Sequence, residues 1–175
     1  MMDRHDLENR IRTVLDGAGS KGKYDFLTVF HEGELTNDIV EYLSAPYRNK
    51  VDHVAAPEST GFILGAMMAA HLGAGFAALR KGGKLPYDDS DIRSASYSDY
   101  SGQSKRVELH SGVLGPGDRV LLVDDWTETT ETIRACIRLL AETGARLEGI
   151  AVIGGDQEQL RKLEDKNLRY IMLDT

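Results

Sequence analysis

Cysteine and tryptophan are scarce in this sequence, and long apolar runs are missing. The single cysteine, Cys136, excludes an internal disulfide framework and is typical of a reducing compartment. The N-terminal residues are polar and lack the apolar core of a signal peptide, and no apolar run approaches the ~20 residues needed to span a bilayer. We therefore expect a cytoplasmic protein without a membrane partner.

A basic surface is not expected either. The 28 acidic residues outnumber the 21 basic ones, which gives a net charge of −7. A nucleic-acid-binding domain normally carries a basic face, so this composition argues against nucleic acid as a partner. The contents of 41% hydrophobic and 28% charged residues are ordinary for a globular protein. A length of 175 residues, with no internal repeat or boundary, predicts one domain over residues 1–175.

The hydrophobic pattern predicts an α/β fold with a mostly parallel sheet. Residues 51–57 and 76–79 are predicted strands, and the apolar segment 62–72 between them suits a buried helix. Strand, helix and strand in this order form a parallel, right-handed unit. Residues 120–123 are consecutive and apolar, which indicates a strand buried on both faces by flanking helices.

The flanking segments complete the predicted structure. Residues 3–16 carry apolar side chains at helical spacing, whereas residues 26–30 are predicted as a short edge strand. Thr36 is predicted to cap the next helix, and residues 157–166 to form a polar helix. Residues 87–106 are polar and without a helical period, and we expect their flanks to pair as a mobile hairpin.

Two adjacent acids, Asp124 and Asp125, follow the buried strand. Ligands of open parallel sheets bind outside the carboxyl ends of the strands, so this pair is predicted to form the floor of a small-molecule site. Capping of the next turn is the alternative interpretation. Residues 127–132 then lead into a helix whose N-terminus suits an anion, although the threonines there are equally suited to simple capping.

Five segments resemble one enzyme family. Residues 58–62 (Glu-Ser-Thr-Gly-Phe) are similar to a Glu-Ser-Arg-Gly-Phe diphosphate loop, and residues 80–86 to an Arg-Lys-x-Gly-Lys-Leu-Pro segment. Residues 96–100 are similar to a Ser-Tyr-Ser-x-Glu-Tyr hairpin, with one residue fewer before the acid. Residues 114–120 and 120–132 are similar to the approach strand and to the phosphoribosyl-diphosphate signature. The chain thus resembles the type I phosphoribosyltransferases, most closely the adenine phosphoribosyltransferases.

The resemblance, which covers about residues 50–153, implies a reaction and its partners. Ribose 5-phosphate is transferred from phosphoribosyl diphosphate to a purine-type, adenine-like base, and diphosphate is released, as in purine salvage. The implied cofactor is magnesium, held by the substrate and by water near Asp124 and Asp125, with no direct protein ligands. A homodimer is also implied, with an N-terminal helical or hood region over residues 1–50 and a flexible hairpin over residues 87–110.

The resemblance also assigns roles to individual residues. The predicted catalytic residues are Asp124 and Asp125, which would bind the ribose hydroxyls, and Asp99, which would handle the base proton. Basic side chains would bind diphosphate, and hairpin tyrosines would cover the site. The predicted substrate-binding residues are Glu58, Ser59, Thr60, Gly61, Arg80, Lys81, Lys84, Tyr97, Tyr100, Trp126, Thr127, Glu128, Thr129, Thr130, Glu131 and Thr132.

Aromatic residues leave two interpretations open. Trp126 either packs or stacks on a ligand. Phe26 and Phe30 are either core residues or the aromatic that stacks on the base.

The sequence departs from the family pattern where anions would bind. The family loop usually reads Ala-Thr-Gly-Gly-Thr, whereas Glu128 and Glu131 stand at its first and fourth positions here. The diphosphate loop has Thr60 in place of arginine. One alternative is therefore an enzyme with an altered donor or acceptor, and another is a non-catalytic module that senses a nucleotide or other ligand. Alternatively, Glu131 points outward and only stabilises the helix N-terminus.

Overall fold

The computed structural model describes residues 3–17, 24–98, 102–163 and 167–174. Within these ranges the helices are α1 (Arg4–Gly17), α2 (Phe26–Phe30), α3 (Gly33–Ser44), α4 (Thr60–Leu72), α5 (Glu131–Thr143) and α6 (Gln157–Arg161). The strands are β1 (His53–Pro57), β2 (Gly75–Lys81), β3 (Ile92–Ser98), β4 (Ser104–His110), β5 (Arg119–Thr127), β6 (Arg146–Asp156), β7 (Leu168–Arg169) and β8 (Met172–Asp174).

The strands form one sheet in the order β3-β4-β2-β1-β5-β6-β7, and β8 also pairs with β6. The central strands β2, β1, β5 and β6 are parallel, so that His53 lies opposite Gly75 on one side and Val120 on the other. The antiparallel hairpin of β3 and β4 joins the edge of β2, where Lys81 lies opposite Val107. The predicted α/β fold with a mostly parallel sheet is confirmed.

The core lies on both faces of this sheet because consecutive residues of β5 point to opposite sides. Leu121 and Val123 pack in one cluster with α4 and the N-terminal helices. Val120 and Leu122 pack in a second cluster with α5. All four side chains are fully buried. The continuous apolar run reflects this arrangement, since neither face of the strand contacts water.

An ion pair fixes the start of β5 beside β1. Asp52 accepts hydrogen bonds from Arg119 at its backbone N (3.0 Å), Nε (3.0 Å) and Nη2 (2.6 Å). These hydrogen bonds hold the pKa of Asp52 well below its usual range. They lie at the amino end of the strand, and the acid pair lies toward its carboxyl end.

The predicted edge strand at residues 26–30 is wrong, because this segment is helix α2. The Asp25 side chain caps it by accepting a hydrogen bond from the backbone N of Leu27 at 3.0 Å. Phe26 and Val29, three residues apart, are its buried side chains. Helical spacing and a local cap thus outweighed the strand preference of individual residues.

Three other helix predictions need correction. Thr36 lies inside α3, which begins at Gly33, and its buried hydroxyl faces the carbonyl of Val29 at 3.4 Å. Helix α6 ends at Arg161, well short of the predicted residue 166. Helix α4 is not buried all round, because Ile63 is 41% exposed.

The predicted hairpin pairing is present, from Ile92 opposite His110 to Ser98 opposite Ser104. Helix α5 holds strand β3 of the hairpin, because Arg138 Nη2 donates to the carbonyl of Ser96 at 2.8 Å. Residues 99–101, at the tip, lie outside the described residues. In the ranges that are described, no helix combines the length and apolarity needed to cross a membrane.

Candidate active site

The carboxyl ends of three neighbouring strands meet at one edge of the sheet. Strand β1 lies between β2 and β5, so the residues that leave these strands come close together. The chain turns from β1 through α4 to β2, and in the opposite direction from β5 through α5 to β6. The strand order therefore reverses between β1 and β5, which is where open α/β sheets bind ligands.

Asp124 and Asp125 lie within β5, which extends to Thr127, and not beyond its end as the sequence suggested. Asp124 is buried, and its Oδ1 accepts a hydrogen bond from the backbone N of Asp125 at 3.0 Å. Gly61 approaches it so closely that a Cβ there would lie 2.8 Å from Asp124 Oδ1. Burial, and then the charge of Asp125, raise the pKa of Asp124 well above its usual value.

Glu58 gathers the basic residues that follow β2. Its Oε2 accepts from Arg80 Nε and from the backbone N of Lys81, both at 3.1 Å, and its Oε1 accepts from Lys84 Nζ at 2.9 Å. The hydrogen bond from Lys84, followed by that from Lys81, lowers the pKa of Glu58 to about 2. We call Glu58, Arg80, Lys81 and Lys84 the basic cluster. Its three cationic side chains exceed its one carboxylate, which leaves it positively charged.

Residues 58–62, which resemble the family's diphosphate loop, lead from Glu58 into the start of α4. The Glu58–Ser59 peptide bond is cis, and Ser59 is exposed. Thr60, which stands where the family pattern has arginine, is the first residue of α4. Gly61 is the residue that contacts Asp124.

A pocket of about 170 Å³ lies between the end of β5 and the start of α5. Both acids that distinguish the loop, Glu128 and Glu131, are exposed, but only Glu128 lines this pocket. Thr130 is buried, and its hydroxyl accepts a hydrogen bond from Arg134 Nε at 3.1 Å. We call this the α5 pocket; its lining residues are Asp124, Trp126, Thr127, Glu128, Thr129, Thr132 and Ile133.

Trp126 connects the α5 pocket with the N-terminal region. Its ring lies 4.7 Å from that of Tyr24 in an edge-on arrangement and 6.0 Å from that of Phe26 in a stacked one, between ring centroids. Gly154 of β6 provides the space, since a Cβ there would lie 2.8 Å from the indole. Trp126 thus packs and also lines a pocket. Phe26 is buried, which favours the core interpretation for that residue, whereas Phe30 is half-buried.

A second pocket, of about 540 Å³, lies between the hairpin and the end of β2. It includes the predicted residues Lys81 and Tyr97. Sequence reasoning missed the other side chains in its lining, Ser96, Ser104, Lys105 and Arg106. The adjacent basic residues 105 and 106, directly after the hairpin tip, were the signal that could have indicated them. Asp99 and Tyr100, predicted for the same hairpin, lie outside the described residues.

Comparison with known proteins decides the family. Residues 30–172 match the model of the phosphoribosyl transferase domain, which is most of the chain. The chain belongs to this family.

Within this family, the chain is similar to several adenine phosphoribosyltransferases. A Symbiobacterium thermophilum protein named adenine phosphoribosyltransferase is 37% identical over 153 residues, which are 85% of this chain and 86% of that one. The adenine phosphoribosyltransferase structure from Rhodothermus marinus superposes with a TM-score of 0.84 at 30% identity, covering 97% of this chain and 99% of that one. The enzyme from Giardia lamblia, complexed with 9-deazaadenine, gives 0.82 at 29% identity, with coverage of 100% and 99%.

These comparisons confirm the predicted resemblance to type I phosphoribosyltransferases, and they agree with the fold described above. The structure brings most predicted site residues to one edge of the sheet, in the basic cluster and the α5 pocket. Thr130 and Glu131 are close in sequence but outside the pocket lining. The roles of these residues stay predictions.

Proposed function

We propose that this protein transfers ribose 5-phosphate from phosphoribosyl diphosphate to a ring nitrogen of adenine and releases diphosphate. One observation carries the proposal: a basic cluster, the acid pair Asp124 and Asp125 and a helix N-terminus lie along one edge of the sheet of a phosphoribosyl transferase domain. The predicted purine-type acceptor agrees with the names of the similar proteins, which are adenine phosphoribosyltransferases.

The basic cluster would bind the leaving diphosphate. Arg80 and Lys84 now donate to Glu58, which orients them toward one point. A diphosphate carries more negative charge than one carboxylate, so it would recruit the same donors and Lys81. Positioned cations stabilise the charge that develops on a leaving group as its bond breaks.

The acid pair would hold the ribose. Carboxylate oxygens of Asp124 and Asp125 suit the sugar hydroxyls as hydrogen-bond acceptors, and the half-buried Asp125 is the more accessible of the two. The pair also fits Mg²⁺, which takes oxygen ligands and is usually bound through one or two carboxylates together with substrate phosphates. In that position Mg²⁺ would neutralise charge on the diphosphate. The residues that would hold it, through water, are Asp124 and Asp125.

The hairpin and the N-terminal helices would enclose the base. Phe26 of α2 and Tyr24, which precedes this helix, lie around Trp126, and we propose that residues 1–50 form the hood. We further propose that residues 87–110 close over the site as a flexible hairpin, with Tyr97 and Tyr100 excluding water and Asp99 accepting the base proton.

The direct test is diphosphate release. Purified protein with Mg²⁺ and phosphoribosyl diphosphate is offered adenine, guanine, hypoxanthine and uracil, and AMP is identified by chromatography. We expect release with adenine, lowered by Asp99→Asn and by Asp125→Asn. No release with any base, together with no calorimetric binding of phosphoribosyl diphosphate, would overturn the proposal. Binding without release would instead support the ligand-sensing alternative.

We also propose a cytoplasmic homodimer. The single cysteine, Cys136, is buried and reduced, which suits a reducing compartment. Support for a dimer comes from two exposed apolar side chains, Ile63 of α4 (41% exposed) and Phe76 of β2 (37% exposed). Light scattering after size exclusion should give twice the chain mass, and Ile63→Asp should give a monomer. A monomeric wild-type protein would contradict the dimer.

A further inference from the structure

The α5 pocket contains a buried hydroxyl that needs a partner. Thr127 is 2% exposed, and its Oγ1 has no hydrogen-bond partner among the described residues. Buried polar atoms in native structures are normally paired, because leaving one unpaired costs its full desolvation. Because Thr127 lines the pocket, a polar ligand there would supply the partner.

The start of α5 adds further hydrogen-bonding capacity. This helix has 13 residues, and its N-cap residue, Thr130, makes no side-chain capping hydrogen bond. The first backbone N–H groups of a helix lack partners within the helix and attract polar or negatively charged groups. Thr129 and Thr132 add two hydroxyls to the pocket lining. The pocket therefore suits a small, oxygen-rich group.

The charged side chains that line the pocket are all acidic. They are Asp124 and Glu128, and within the described part of the chain no lysine or arginine is among the lining residues. The adjacent cation on α5, Arg134, is exposed and donates to Thr130. A phosphate group here would meet the carboxylate of Glu128. Two unit charges about 6 Å apart weaken binding by roughly three- to hundredfold, for effective dielectric constants between 80 and 20.

We propose that the α5 pocket binds the 5′ end of the ribose with little preference for a phosphate over a hydroxyl group, and that Glu128 determines this selectivity. The inference rests on the proposed function, because it takes the ribose to lie on Asp124 and Asp125. Its ligands are ribosyl compounds whose 5′ end carries a hydroxyl or a phosphate. Threonine hydroxyls and helix N–H groups serve both kinds of ligand, whereas Glu128 opposes only the charged one.

AMP and adenosine provide the test, because they differ only in the 5′-phosphate. Trp126 is the only tryptophan in the sequence and lines the pocket, so its fluorescence reports binding directly. Titrations by fluorescence and by calorimetry should give an adenosine Kd within about tenfold of the AMP Kd for the wild-type protein. Glu128→Gln should tighten AMP by three- to hundredfold and leave adenosine within twofold.

Two further variants separate selectivity from general effects. Glu142→Gln removes the same charge at the last turn of α5 and should leave the ratio of the two Kd values unchanged. Thr127→Val keeps the shape but removes the buried hydroxyl, and should weaken both ligands by a similar factor. Circular dichroism and thermal unfolding of each variant check that it is folded.

The outcomes separate this inference from the proposed function. A wild-type preference for AMP above a hundredfold, or a ratio unchanged by Glu128→Gln, overturns the inference even if diphosphate release occurs. The expected ratio without diphosphate release supports the inference and counts against the transferase activity. Absence of binding by both nucleosides and nucleotides overturns the inference.

Discussion

The two ends of the site differ in the charge that they present to a ligand. At the end of β2, three basic residues surround the single carboxylate of Glu58, and each hydrogen bond to that carboxylate is 3.1 Å or shorter. At the start of α5, hydroxyl groups and a helix N-terminus are combined with Glu128 and Asp124, and the lining residues include no basic side chain within the described ranges. A ligand with two anionic groups would be bound by charge at one end and by hydrogen bonds at the other.

This difference indicates how one fold divides its binding energy. The basic cluster suits the leaving diphosphate, because positioned cations stabilise the negative charge that this group carries as its bond to the ribose breaks. The α5 pocket suits a group that stays attached and needs only to be held. Selectivity for phosphate should therefore be strong at the first end and weak at the second. Substitutions at the two ends of the site test this contrast.

Replacing Asp124, the buried acid of the α5 pocket, should change activity and stability in opposite directions. Because burial raises the pKa of Asp124, its ionised form is costly in the folded protein. Asp124→Asn should therefore raise the free energy of unfolding at pH 7. It should also lower kcat/KM for phosphoribosyl diphosphate by about 100-fold, because the amide group offers the ribose one acceptor oxygen where the carboxyl group has two.

The stabilisation by Asp124→Asn should increase as the pH rises. The folded-state pKa of Asp124 lies above the unfolded value of about 3.9, so ionisation destabilises the fold increasingly as the pH rises above about 4. Urea unfolding should show the advantage of Asp124→Asn at pH 7 and its disappearance at lower pH. Asp89→Asn, at an exposed acid, is the control. A variant less stable than the wild type at pH 7 would contradict the burial argument.

Removing one cation at the end of β2 should strongly weaken the binding of phosphoribosyl diphosphate. Hydrogen bonds to charged groups contribute about 1.5–3 kcal/mol, so Arg80→Ala should raise KM for phosphoribosyl diphosphate by roughly 10- to 100-fold. Lys162→Ala removes a cation from the exposed Lys162–Glu158 pair and is the matched control. Steady-state kinetics with varied phosphoribosyl diphosphate measures both. A KM within twofold of the wild type would place the diphosphate elsewhere.

Neutralising Glu58, the carboxylate of the basic cluster, should lower the free energy of unfolding by a small amount. The pKa of Glu58 is lowered to about 2, so its ion pairs stabilise the fold above the unfolded pKa of about 4.3 and lose this effect as the pH falls toward 2. Because Lys84 is 50% exposed, solvent screens the pairs, and Glu58→Gln should cost less than about 1 kcal/mol at pH 7. The wild type and the variant should become equally stable near pH 2. A difference that persists there would indicate a packing effect.

The smallest expected effect concerns the second acid of the loop. Glu131 is exposed in the first turn of α5, where a carboxylate stabilises a helix by about 0.3–1 kcal/mol. Glu131→Gln should lower the free energy of unfolding by that amount. It should change the AMP-to-adenosine ratio less than Glu128→Gln does. If the two variants act in the opposite order, the selectivity has been assigned to the wrong glutamate.

Sequence reasoning predicted most of the central sheet because its signals are local. The apolar run before Asp124 required a strand buried on both faces, and the segment order required parallel pairing of β1 with β2. It failed at residues 26–30, where an Asp25 cap and a buried pair three residues apart give a helix. It also missed Lys105 and Arg106, because only the pairing of the hairpin brings them beside Lys81.

The candidate active site shows the same division between what the local sequence predicts and what only the tertiary structure decides. Residue types in the motifs at 58–62, 80–86 and 120–132 determined the family and which strands would deliver the site. The sequence placed Glu128 and Glu131 alike, three residues apart in one loop. Only the tertiary structure separated them: both are exposed, but Glu128, directly after β5, lines the α5 pocket, and Glu131, in the first turn of α5, does not. Similarly, the sequence left Trp126 open between packing and stacking on a ligand, and the structure shows that it packs in the space left by Gly154 and also lines the α5 pocket. Local chemistry is encoded along the chain, but the direction in which a side chain points depends on elements that pack from elsewhere.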